Sequence, residues 1–66
     1  MYQFREERLD EIKKFKINHI AEKVGISRVY LSYIIHNKNK CKKAVAYGIT
    51  KAFDETKEIE YYFIEK

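Results

Sequence analysis

Ile17, Ile20, Ala21 and Val24 fall at i, i+3, i+4 and i+7, and the residue that follows them is Gly25. Apolar residues at that spacing line one face of an α-helix, and a glycine directly after the last of them supplies the left-handed backbone that ends it. Ile26 can then fold back as the apolar contact after the cap. Ser27 is a good N-cap for a second helical segment, Arg28 to His36, which runs out at Asn37 and the polar run "NKNK". Two short amphipathic helices joined by a tight turn constrain the rest of the chain to elements that cover their apolar faces.

Little chain remains to do so. A length of 66 residues fits one small domain, 1–66, and is too short to bury the core of a typical enzyme. A single cysteine, Cys41, excludes an intrachain disulfide, so helix packing or a dimer must supply stability. There is no proline, only two glycines, and six tyrosines with four phenylalanines, a composition that fits neither disorder nor a strand-rich fold. The expected class is all-α. No stretch approaches the roughly 18 apolar residues of a membrane span, and "MYQFREERLD" is too charged for a signal peptide. A soluble, cytoplasmic protein with no membrane partner is the expectation.

The net charge of +4 conceals an uneven distribution. Residues 13–51 hold ten lysines and arginines against one acid, Glu22, whereas the segments before and after are net acidic. Such a basic block is the footprint of a nucleic-acid binder, because cations that neutralise phosphates gain affinity by releasing counterions. A solvated lysine-rich surface accounts for the same composition equally well.

The flanks read as further helices. Phe4, Leu9, Ile12 and Phe15 suggest a first helix over about 4–14, with Asp10 and Lys14 as a favourable i, i+4 pair. In "KKAVAYGITKAF", Val45, Ile49, Ala52 and Phe53 stand at i, i+4, i+7 and i+8, a fourth helix that closes the core. Gly48 inside it costs about 1 kcal/mol relative to alanine, which close packing against a neighbour would explain. In the tail, Ile59 and Phe63 fit a helix near 56–63, while Ile59, Tyr61 and Phe63 alternate as in a strand. The helix is favoured, with a short C-terminal strand kept as the alternative. The "YYF" cluster either covers one end of the core or makes a dimer contact.

The segment from Arg28 to His36 has two faces. Leu31, Ile34 and Ile35 share one arc that must meet the core, with Tyr30 at its flank. Arg28, Val29, Ser32, Tyr33 and His36 occupy the opposite arc. A face meant only for solvent would more often hold Glu and Lys.

With Ala21 at the small position between the helices, Gly25 in the turn, Ile26 after it, and Leu31 and Ile34 as core positions, residues 17–36 resemble the helix-turn-helix of the Cro/C1-type (XRE-like) family of phage repressors. The resemblance implies a compact four- to five-helix bundle of the lambda-repressor-like DNA-binding type. It implies a sequence-specific regulator of transcription, a Cro-like repressor of a phage or mobile element in a bacterial cell. Such a protein binds double-stranded DNA as a homodimer on a palindromic operator. The base-contact candidates are Arg28, Val29, Ser32 and Tyr33, with Arg28 suited to guanine and Val29 to a thymine methyl group. The phosphate-contact candidates are Asn18, His19, Ser27, Lys38, Lys40, Lys42 and Lys43. Ile17 departs from the family, where glutamine is usual, as do Arg28, Val29 and Tyr30 at the start of the reading helix. A different operator follows. His36 can face DNA or simply help to end its helix.

Other chemistry finds no support. Cys41, His36 and His19 are too sparse for a zinc site, and a half-buried or exposed thiol is expected. Glu6, Glu7, Asp10 and Glu11 read as a solvated acidic face, and no nucleophile triad or phosphate-cradling glycine loop occurs. No catalytic residue, metal, cofactor or small-molecule substrate is expected. The rival functions are a protein-binding module on the same scaffold, such as an antirepressor or host-factor adaptor, and an excisionase-like architectural DNA binder.

Overall fold

Helices α2 (Ile17–Val24) and α3 (Arg28–Ile35) lie where the apolar spacing puts them in the computed structural model, which describes residues 1–66. Gly25 ends α2 at φ 86°, and its N–H and that of Ile26 both return to the Ala21 carbonyl, at 2.8 and 3.1 Å. Ser27 opens α3 by accepting the Tyr30 N–H on Oγ at 3.0 Å. Asn37, at φ 63°, closes it: the Lys38 N–H reaches the Tyr33 carbonyl at 2.8 Å and the Asn37 N–H reaches Ile34 at 3.1 Å. Asparagine is one of the few residues other than glycine that accept this left-handed position readily.

Helix α4 (Lys43–Phe53) packs chiefly on α2 and buries Ala46, Ile49, Thr50 and Phe53. Gly48 faces α2, and a Cβ there would meet Val24 Cγ1 at 3.4 Å, the near edge of ordinary contact. Ala46, Ile49 and Phe53 join Ile20, Ala21, Leu31, Ile34 and Ile35 in one continuous hydrophobic core.

The N-terminal segment is not the helix expected over 4–14. It forms a strand, β1 (Tyr2–Phe4), a 3-10 turn at Glu6–Arg8 and a one-turn helix, α1 (Leu9–Ile12). The tail combines both readings, as a short helix α5 (Ile59–Tyr62) followed directly by a strand, β2 (Phe63–Glu65). β1 and β2 pair antiparallel with Tyr2 opposite Glu65, Gln3 opposite Ile64 and Phe4 opposite Phe63. The fold is therefore mostly helical, as expected, with a small two-stranded sheet added where the two ends of the chain meet. The sheet wins because Phe4 and Phe63, directly opposite each other, are both fully buried and meet edge to face at 5.4 Å. Phe4 also stacks on Tyr62 and touches the edge of Phe53, while Phe15 packs on Phe53. "YYF" thus covers one end of the core within the chain. Because α1 ends at Ile12, Asp10 pairs with Lys13 at 3.1 Å instead of with Lys14.

The sheet also corrects the expectation for Cys41. Its backbone exchanges hydrogen bonds with Tyr2, at 2.7 and 2.9 Å, on the other side of β1 from β2. The thiol is consequently buried, and that burial pushes its pKa up to about 11. At neutral pH it is protonated and a poor nucleophile or ligand.

Arginines fasten the two ends together. Arg5 Nε donates to the Glu60 carbonyl at 2.8 Å and Arg8 Nε to the Tyr61 carbonyl at 3.0 Å. Arg8 and Lys57 both approach the Tyr61 ring, at 3.8 and 4.5 Å from its centroid, and the Tyr61 hydroxyl donates to Glu11 at 2.7 Å. That bond, followed by the one from Arg8, holds the Glu11 carboxyl below its usual range, and the same carboxylate raises the Tyr61 phenol. A lowered carboxyl pKa contributes stability above the unfolded value of about 4.3, lost as pH falls through the folded value. A raised phenol contributes below about 10 and loses it as pH rises through its folded value. Tyr61→Phe, compared with the wild type by urea unfolding, is therefore expected to show its largest deficit between these limits and a smaller one on either side. A deficit independent of pH would contradict the Tyr61–Glu11 bond.

No helix is long and apolar enough to cross a membrane.

Candidate functional site

Helix α3 divides as its residue pattern requires. Leu31, Ile34 and Ile35 are buried, and Tyr30 is half-buried against the same core. On the other side Arg28, Val29 and Tyr33 are exposed, Val29 to 55% and Tyr33 to 46%, with Ser32 half-buried between them. Two large apolar side chains left in water on a helix whose other face is fully packed are a surface available for contact.

These four residues come together. Arg28, Val29, Ser32 and Tyr33 line a shallow hollow of about 250 Å³ whose remaining wall is Ile17, at the start of α2. A neighbouring hollow of about 280 Å³ is lined by Asn18, Ala21, Glu22, Ile26 and Arg28. Arg28 thus stands on the border between the two, with Asn18 on one side and Val29 on the other. Ile17 and Glu22 are additions to the residues expected from sequence. Ile17 was legible as a core position, and its place at the first turn leaves it half-exposed while packed on the core. Glu22, the one acid of the basic segment, had no periodic signal to mark it.

Charge around the site is unpaired. The three salt bridges, Arg5–Glu7, Arg8–Glu11 and Asp10–Lys13, all lie in the N-terminal segment. Lys51 is occupied by the loop that follows α4, its Nζ donating to the carbonyls of Glu55 at 3.2 Å and Lys57 at 2.8 Å. Arg28, Lys38, Lys40, Lys42 and Lys43 are exposed and form no ion pair within the chain.

The helix starts reinforce this. α2 and α4 begin after Lys16 and Lys42, neither of which caps the helix with its side chain, and neither first turn holds an acid. Free N–H groups and the positive end of the helix dipole, flanked by lysine, favour an anion. α3 is different, since Ser27 satisfies one of its N–H groups, and the exposed serine hydroxyl still has a proton to donate.

The other expected phosphate contacts are more scattered. His19 is exposed on α2 but lines neither hollow, and Lys38 and Lys40 sit in the connection between α3 and α4. Lys42 and Lys43 are the cap and first residue of α4. His36 ends α3 and borders a separate, apolar hollow of about 180 Å³ with Leu9, Phe15, Ile17 and Ile35. No three His, Cys, Asp or Glu side chains gather as a metal-binding group.

No family model, curated protein or solved structure matches the chain.

Proposed function

We propose that this chain is a sequence-specific double-stranded DNA-binding regulator of transcription, a Cro-like repressor with a lambda-repressor-like helix-turn-helix at α2 and α3. The observation that carries the reading is the exposed arc of α3, where Arg28, Val29, Ser32 and Tyr33 line one hollow and Arg28 has no ion-pair partner. An α-helix with its side chains is about 10–12 Å across, and the major groove of B-DNA is about 12 Å wide. Inserted there, α3 presents a cation able to bond guanine O6 and N7, a hydroxyl for either base type and apolar surface for a methyl group. The uncapped starts of α2 and α4, with Asn18, Lys42 and Lys43, hold phosphates, and Lys38 and Lys40 add charge that sets affinity without reading sequence. Two copies bind a palindrome whose half-sites are about one helical turn apart, because a two-fold dimer imposes its symmetry on the site. The role is binding, not catalysis.

Selection from random oligonucleotides at moderate salt tests this directly. The expected result is one enriched palindrome, bound with an affinity that falls steeply as salt rises. Exposed Val29 and Tyr33 also suit a protein partner, the second reading. Enrichment of no sequence, together with a protein ligand held on this face at high salt, would establish that reading instead.

A further inference from the structure

We infer that the hollow between the start of α2 and the exposed face of α3 is a receptor for the 5-methyl group of one thymine in the bound DNA, with Ile17 and Val29 as its apolar walls. The inference rests on the DNA-binding reading and names what that site selects. Of its five lining residues, Ile17, Val29 and Tyr33 are apolar or aromatic, and Arg28 and Ser32 form the polar rim. The thymine methyl is the one apolar group that base pairs present in the major groove.

The walls come from two helices. Ile17 is packed on the core at the first turn of α2, and Val29 projects from α3, whose backbone is fixed by the Ser27 cap and by buried Leu31 and Ile34. The hollow is therefore already formed before DNA arrives, and filling it orders little that was free.

Charge favours nucleic acid over a peptide as the occupant. No acid lines this hollow, Arg28 stands at its rim, and Lys16 precedes Ile17. Because Arg28 and Val29 line the same hollow, the base pair read by the guanidinium and the one whose methyl enters the hollow are neighbours. The preferred half-site then contains a guanine beside a thymine, and at the thymine position discrimination against cytosine comes from apolar contact.

The experiment starts from the palindrome returned by selection. Each thymine is replaced singly by deoxyuridine, which deletes the methyl and leaves pairing unchanged, and binding is followed by fluorescence anisotropy. One thymine per half-site, next to a guanine, is expected to lose about threefold to fivefold in affinity, the effect of burying one methyl group. With Val29→Ala, whose exposed side chain supports no core packing, that loss is expected to shrink to nearly nothing. Ile17→Ala, checked for folding by circular dichroism, is expected to do the same. A selected palindrome in which no thymine responds overturns the inference and leaves the DNA-binding reading standing. So does a response unchanged in both variants. Failure to select any sequence overturns the DNA-binding reading itself, and the methyl receptor with it.

Discussion

Phe4→Ala is expected to lower the stability of the chain by about 3–5 kcal/mol, the usual cost of truncating a buried phenylalanine. A domain of this length has a total stability of roughly 3–10 kcal/mol, so the variant is expected to lose about a third of it or more. Phe4 is 1% exposed and touches the rings of Phe53, Tyr62 and Phe63, each from a different segment of the tail or α4. Its removal leaves a cavity at the junction of β1, α4, α5 and β2. That junction also holds the backbone bonds from Tyr2 to Cys41 and from Arg5 to Tyr62, so loss of the ring exposes them to water as well. Urea unfolding followed by circular dichroism measures the effect. Phe63→Ala should cost a similar amount, and the double variant less than the sum, since the two rings share one contact. A loss under about 1 kcal/mol for Phe4→Ala would mean that β1 is not docked in solution, because an exposed phenylalanine has no cavity to leave.

The same residue marks where local pattern ceased to be a guide. α2, its glycine stop, the Ser27 cap and the buried arc of α3 were all legible, because each depends on residues within a turn or two of one another. The first ten residues were not. Phe4 and Leu9 are five apart, out of step with a helix, and the partner that turns Phe4 into a strand residue is Phe63, near the other end of the chain. Nothing in a local window reports such a pairing. Cys41 was misread for the same reason, since its burial follows from a bridge to Tyr2. At the candidate site the helical arc singled out Arg28, Val29, Ser32, Tyr33 and His36; the first four line one hollow, whereas His36 borders a separate one. Ile17 was read as core because its period required it. The packing of α2 against α3 gives it a second surface, which periodicity along one helix does not reveal.

Arg28→Ala should separate recognition from folding. The side chain is exposed, makes no internal salt bridge and sits at the first position of α3, where alanine is an excellent helix former. Stability is therefore expected to change by no more than about 0.5 kcal/mol. Affinity for the selected palindrome is expected to fall by about 1–3 kcal/mol per half-site, the worth of one bidentate contact to guanine. In a two-fold dimer both half-sites lose it, so the binding constant declines by about 30-fold or more. The pattern of the loss matters more than its size. A residue that reads guanine relaxes preference at one base pair, whereas a residue that only meets phosphate weakens all sequences alike and lowers the salt slope by about one. Lys43→Ala, at the uncapped start of α4, is the control for the second behaviour. Arg28→Lys keeps the charge but not the planar fork, so it should retain the salt dependence and lose most of the discrimination. If Arg28→Ala weakens every sequence equally, Arg28 is a phosphate contact, and the reading of bases passes to Val29, Ser32 and Tyr33.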